Sequence, residues 1–195
     1  MYTLSRRAVS LTKKDPDRIV LGYFSGSKTH DKDFSVAAPA ILKVMEKYQN
    51  VYLKIGGCLN LDERFYTYKS RIYSFGFKDW RELPHEIASV DINLMPLEDD
   101  LFQSCKSENK WMEAALVGVP TIASANVELE RIIAHGQNGL LCNTAEEWEE
   151  ALEMLIRNED QRIAIGEQAF RDVKRNYLTL LYSGEAVKAL LSKEC

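Results

Sequence analysis

The chain has 195 residues, 46% hydrophobic and 28% charged, with a net charge of −4 at neutral pH. That is enough for one substantial domain with a full core and too little for two large ones. It also gives no electrostatic footprint for nucleic acid. No apolar run approaches the roughly 20 residues that span a bilayer, and the N-terminal MYTLSRRAVSLTKKDPDR lacks the apolar centre of a signal peptide. Cys58, Cys105, Cys142 and Cys195 form no CxxC pair, which points to buried thiols in a reducing cytoplasm and away from zinc or a redox dithiol.

Residues 1–18 are polar, basic and broken by Asp15-Pro16-Asp17, and read as a leader or linker. Regular alternation then begins. Ile19 to Ser25 is a short β-rich run that ends in Ser-Gly-Ser, a strand followed by a loop. Ile41, Val44, Met45 and Tyr48 recur at helical spacing, and Pro39 fits near that helix's first turn. Val51 to Ile55 is a second strand, closed by Gly56-Gly57, and Arg71 to Phe77 a third. Trp80 to Val90 is helical with Pro84 early in it, and Asp91 to Met95 is a fourth strand stopped by Pro96.

A helix from about Glu108 to Val117 leads through Gly118-Val119-Pro120 into a strand that ends at Ser124. A short helix, Glu128 to Ala134, precedes a last strand, Gly139 to Cys142. Thr144 and Glu147 form a capping box ahead of an apolar face of Trp148, Ala151, Leu152, Leu155 and Ile156. A further helix turns Ile163, Phe170, Val173 and Tyr177 inward, and another runs from about Leu178 to Ser192. Strands that are apolar throughout and alternate with helices imply an α/β domain. Its six-stranded, mainly parallel sheet is doubly wound and Rossmann-like, with helices on both faces.

In such a sheet ligands sit beyond the carboxyl ends of the strands. Two segments there carry suitable chemistry. In the loop from Ser25 to Phe34, Gly26 and Ser27 let a phosphate approach the backbone, while Lys28, His30 and Lys32 supply hydrogen-bond donors and charge. The same loop is also compatible with a plain turn. In the segment after Cys105, residues three and four apart share a helix face, so Lys106, Asn109 or Lys110, and Glu113 line one polar stripe. A helix start favours a pyrophosphate, and a carboxylate one turn further in accepts both hydroxyls of a ribose. The competing reading is a solvated face with a Lys110–Glu113 surface pair.

The run KSENKWMEAALVGVPTIAS resembles the nucleotide-sugar motif in the C-terminal domain of GT-B glycosyltransferases of family 4, also called group 1. GYFSGSKTHDKDF, FGFKDWRELPHEIASVDINLMPL, HGQNGLLC and TAEEWEEAL resemble further pieces of that domain in the same order, over about residues 19–177. The resemblance implies a nucleotide-diphosphate-sugar donor and retaining transfer to a glycan or lipid-linked acceptor, with no metal or other cofactor. Lys32, Lys110 and His30 would stabilise the leaving diphosphate electrostatically. Gly26, Ser27, Lys28, Lys106, Glu108, Asn109 and Glu113 would bind the donor, with Glu113 on the ribose and Glu108 or the local backbone on the sugar. Trp80 lies in the segment that meets the base, where a buried Trp anchoring its helix is the other reading.

Two departures stand out. The motif often carries an earlier glutamate, separated from the second by seven residues, and that position here is Cys105. A GT-B enzyme also needs a second, acceptor-binding Rossmann-like domain. The resemblance therefore implies a C-terminal half that acts with a missing N-terminal domain, with residues 178–195 crossing back to it. Alone it would transfer little or nothing. The implied location is cytoplasmic, at the inner face of the membrane through the missing domain. The alternative function is a non-catalytic nucleotide-sugar-binding module. An unrelated dinucleotide-binding Rossmann domain is disfavoured, because SGSKTH stands where GxGxxG would follow the first strand.

Overall fold

A computed structural model describes residues 1–25, 31–98 and 108–177. The strands are β1 (Ile19–Phe24), β2 (Val51–Gly56), β3 (Ile72–Phe75), β4 (Ile92–Met95), β5 (Thr121–Ser124) and β6 (Leu140–Cys142). They form one parallel sheet in the order β3-β2-β1-β4-β5-β6. Chain order reverses between β1 and β4, the switch point at which a doubly wound sheet opens a crevice.

Alternate residues of β1 serve the two faces, as the two-residue period of a strand requires. Leu21 and Tyr23 join a core with α2 (Asp31–Lys47) and α6 (Ala145–Arg157). Val20 and Phe24 face a cluster with α1 (Tyr2–Leu11), α3 (Leu83–Ala88) and α4 (Asn109–Leu116). On that second side a further cluster joins α4 to Leu129 of α5 (Val127–Ile132) and to Ala169 and Val173 of α7 (Glu159–Asn176). The Thr144 cap is present: Glu147 N–H donates to Thr144 Oγ1 at 3.2 Å, and the Glu147 carboxylate accepts from Asn143 N–H at 2.5 Å. Among the described residues no helix is long and apolar enough to cross a membrane.

Several expectations are corrected. The segment 1–18, read as leader or linker, contains α1. Its fully buried residues are the small Ser5 and Ala8, and Tyr2 packs partly buried against Phe170 of α7. Lys14 anchors the segment by donating to Val90 O at 2.5 Å and pairing with Asp91 at 3.3 Å. Pro39 sits well inside α2, which begins at Asp31, so the helix starts two turns earlier than the proline suggested. Of the residues expected inward on α7, Val173 is buried and Tyr177 packs against the core, but Ile163 is 50% exposed, and Ile165, Gly166 and Ala169 fill that side. A 3₁₀ helix, Glu63–Arg71, precedes β3 and has no counterpart in the sequence reading. Cys58 is exposed, Cys142 is buried, and burial pushes the Cys142 thiol up to about 12.

α7 meets the sheet side through a close backbone contact. A β-carbon on Gly166 would fall 2.1 Å from Gly118 O. Helix propensity alone would favour alanine there by about 1 kcal/mol. Overpacking against backbone costs about 1–3 kcal/mol and has no flexible side chain to relieve it. Gly166→Ala is therefore expected to lower the melting temperature by several degrees, at roughly 2–4 °C per kcal/mol. A rise in a thermal melt would show that α7 shifts freely.

Candidate functional site

The carboxyl ends of β1, β2 and β3 and the first turns of α4 enclose a pocket of about 260 Å³. Its floor is Phe24, Gly56 and Phe75, and Gly57, Lys78, Trp80, Lys110 and Glu113 stand among its walls. Gly57 has φ of +96°, and a β-carbon there would lie 1.9 Å from Ser25 O, so only glycine lets β2 turn against the end of β1.

α4 is held at both ends of its first turns. Asn93 on β4 donates to Thr121 Oγ1 at 3.1 Å and, more weakly, to Lys110 O at 3.5 Å. Trp111 Nε1 donates to Asn138 O at 2.9 Å. Asn138, itself buried, accepts from Ala134 N–H at 2.8 Å and donates to Asp172 at 2.8 Å. The segment after β4 is tied to its neighbours as well: Leu97 N–H donates to Ser124 Oγ at 2.9 Å, and Glu98 N–H donates to the buried Asp33 at 3.1 Å.

Lys110 and Glu113, three residues apart on one face, both reach the pocket. The Lys110 ammonium lies 5.1 Å from the centre of the Tyr23 ring. Burial pushes the Tyr23 hydroxyl above its ordinary range, helped by the charges of Asp33 and Asp31. Burial also raises the Glu113 carboxyl, with the Lys110 charge opposing it. Among the described residues nothing donates a hydrogen bond to that carboxylate. A half-desolvated acceptor of this kind gains from any ligand that brings hydroxyl donors.

A larger open groove of about 720 Å³ adjoins this pocket and shares Gly57, Phe75 and Gly76 with it. Its described lining includes Asp31, Cys58 and Asn60 and no cation. The smaller pocket is the better anion site despite its size, because it has Lys110 and Lys78.

Lys110 and Glu113 are thus brought together. Lys32 is exposed on the first turn of α2, outside the described lining of the pocket, and Asn109 is exposed at the start of α4. Glu108 does not line the pocket; it lies near Tyr177 at the end of α7, whose hydroxyl is raised by burial and by the Glu108 charge. Gly26, Ser27, Lys28, His30 and Lys106 lie outside the described residues, as do Cys105 and the 178–192 helix. Trp80 is 52% exposed in the turn before α3, which removes the buried-anchor reading. Gly57 and Lys78 were not singled out as site residues. The Gly56-Gly57 pair at a strand end was the signal for the first, and no local pattern marks the second.

Residues 18–158 match the family described as glycosyl transferases of group 1. The D-inositol 3-phosphate glycosyltransferase of Corynebacterium aurimucosum is 40% identical over 60 residues, which are 30% of this chain and only 14% of that protein. The C-terminal domain of a group 1 family glycosyl transferase (LpcC) from Francisella tularensis has the same fold, with a TM-score of 0.61 at 18% identity over 83% of this chain and 87% of that one. HepE of Anabaena, solved in complex with UDP and glucose, matches with a TM-score of 0.69 at 17% identity over 97% of this chain and 52% of its own. This chain belongs to the glycosyl transferases of group 1 and carries the fold of their C-terminal, GT-B-type Rossmann domain.

Proposed function

We propose that this domain binds the nucleotide-diphosphate-sugar donor of a retaining glycosyltransferase, with the pocket between β1, β3 and α4 as the nucleoside site. The carrying observation is that Lys110 and a half-desolvated Glu113 line one pocket beside the switch point of the sheet. A protein of the same fold that holds UDP and glucose supports the reading. Glu113 accepts the ribose hydroxyls. Lys110 faces the diphosphate, with Lys32 on the first turn of α2, Lys28 and His30 ahead of it, and the backbone at Gly26 and Ser27. As the bond from the anomeric carbon to the diphosphate breaks, negative charge grows on the leaving phosphate, and fixed cations lower the barrier by stabilising it. The reading calls for no metal. Glu108 does not line the pocket, so the sugar contact falls to the backbone of the segment around Lys106 and Asn109. Transfer to a glycan or lipid-linked acceptor takes place with a second Rossmann-like domain that holds the acceptor.

Calorimetric or NMR titration of the chain with UDP-, GDP-, dTDP- and ADP-sugars tests this. Saturable binding with shifts at Lys110 and Glu113 is expected, and no binding by any of them overturns the reading. The exposed face of Trp80 gives the base an aromatic platform. The Arg81 guanidinium already lies 4.6 Å from the ring centre and steadies it. Stacking on an aromatic contributes about 1–3 kcal/mol per base, so Trp80→Ala should weaken nucleotide binding roughly 5- to 150-fold, whatever the sugar. An unchanged affinity would place the base elsewhere.

A further inference from the structure

Lys78 stands on the pocket wall just beyond β3, two strands away from β1. At about 4.8 Å between strands, this puts it roughly 10 Å from the β1 end. Lys110 and Glu113 line the same pocket from α4. Lys78 is not a loose surface lysine. Its ammonium donates to one carboxylate oxygen of Glu86 on α3, whose side chain is only 16% exposed. The other oxygen of Glu86 pairs with Lys54 of β2 at 2.5 Å. Lys54 also donates to Ser89 Oγ at 2.7 Å, and the Ser89 hydroxyl donates to Glu86 O at 2.7 Å. Both ammoniums flank the Phe75 ring, Lys54 at 5.5 Å and Lys78 at 5.0 Å from its centre. Burial of Glu86 would raise its carboxyl, but the hydrogen bonds and charges of the two lysines outweigh that and hold it below the ordinary range.

An ammonium has three N–H donors. Among the described residues Glu86 is the acceptor for one of them, which leaves donors available at the pocket wall. On the nucleoside-site reading, with ribose on Glu113 and base toward Trp80, the base lies at the β3 side of the pocket, where Lys78 is the described cation. Uracil, thymine and guanine carry an oxygen acceptor on the outer edge of the base, whereas cytosine and adenine carry an amino donor.

We propose that Lys78 is a specificity-determining residue that accepts nucleotides with an exocyclic oxygen at the outer base edge and rejects those with an amino group there, and that Glu86 is the positioning residue that fixes its ammonium. This rests on the nucleoside-site reading above. Titrating UDP, GDP, CDP and ADP against the chain tests both levels. The wild type should favour UDP or GDP over CDP and ADP by about tenfold or more, as expected of a hydrogen bond from a charged donor. Lys78→Met should bring the four within about twofold of one another, with the melting temperature checked alongside. Lys78→Arg should keep the preference, and Glu86→Gln should reduce it without abolishing binding. If Lys78→Met leaves the preference intact, or the wild type prefers CDP or ADP, the triad is a structural staple and the proposal is overturned while the site reading stands. If none of the four binds, both are overturned.

Discussion

Replacing Gly57 by alanine is expected to destabilise the domain by about 3 kcal/mol or more and to cripple the pocket. Left-handed backbone costs a non-glycine residue about 1 kcal/mol, and here φ is +96°. The larger penalty is steric, because the new β-carbon would stand 1.9 Å from the carbonyl oxygen of Ser25. Neither side can yield cheaply. Ser25 N–H donates to Gly56 O at 2.8 Å, and Gly57 N–H donates to Phe75 O at 2.9 Å, so separating the chains breaks the ladder on both flanks. Each lost bond adds about 1 kcal/mol. A melting temperature lower by roughly 6–12 °C follows for a domain of this size. Nucleotide binding should fall with it, since Gly57 and Ser25 line the pocket together. Gly76 lines the same pocket, yet a β-carbon there meets nothing within 4 Å, so Gly76→Ala is the control and should melt like the wild type. A Gly57→Ala melt within about 2 °C of wild type would mean that the β2 turn relaxes and the contact is not a constraint.

The strands β1, β4 and β5 were legible because each is a largely apolar run that ends at Ser or Pro and is buried on both faces, so it needs no polar alternation to mark it. Helices with large inward residues were legible for the same reason, as with Trp148, Leu152 and Leu155 of α6. What failed were elements whose contacts are small or distant. α1 buries Ser5 and Ala8 and is held by Lys14 on Asp91, a pairing no local window contains. α2 starts two turns ahead of Pro39 because a helix can carry a proline in its interior without that residue's N–H bond. Ile163 matched a helical period but fell on the solvent side, since Gly166 sets which face of α7 meets Gly118.

The site divides along the same line. Lys110 and Glu113 were readable because three-residue spacing on one helix is enough to place them together. Glu108 is equivalent in sequence but stands outside the lining of the pocket. No local pattern marks Lys78, because the Glu86 carboxylate it shares with Lys54 comes from α3 and the three meet only in the folded domain.

Glu113→Ala should weaken binding of a nucleotide sugar roughly 10- to 150-fold, the loss of hydrogen bonds to a charged acceptor worth about 1.5–3 kcal/mol. The pH dependence makes the assignment specific. Burial raises the Glu113 carboxyl in the unliganded domain, with the Lys110 charge opposing it. Ribose hydroxyls donate to the ionised form, so a proton competes with the ligand. Affinity should therefore fall as pH drops through the raised carboxyl value, above the ordinary Glu range near ~4.3. The contribution of this group to stability has the opposite sign. The folded state holds the proton more tightly than the unfolded chain, so that contribution is present below the ordinary Glu value and is lost as pH rises through the folded one. A nucleotide sugar is the right probe, because its diphosphate is esterified at both ends and lacks the second phosphate proton that titrates near ~6. Glu113→Gln should remove this step from both profiles. Wild-type affinity that stays flat over that range, or an alanine variant that binds as tightly as the wild type, would make Glu113 a half-buried helix residue and no more.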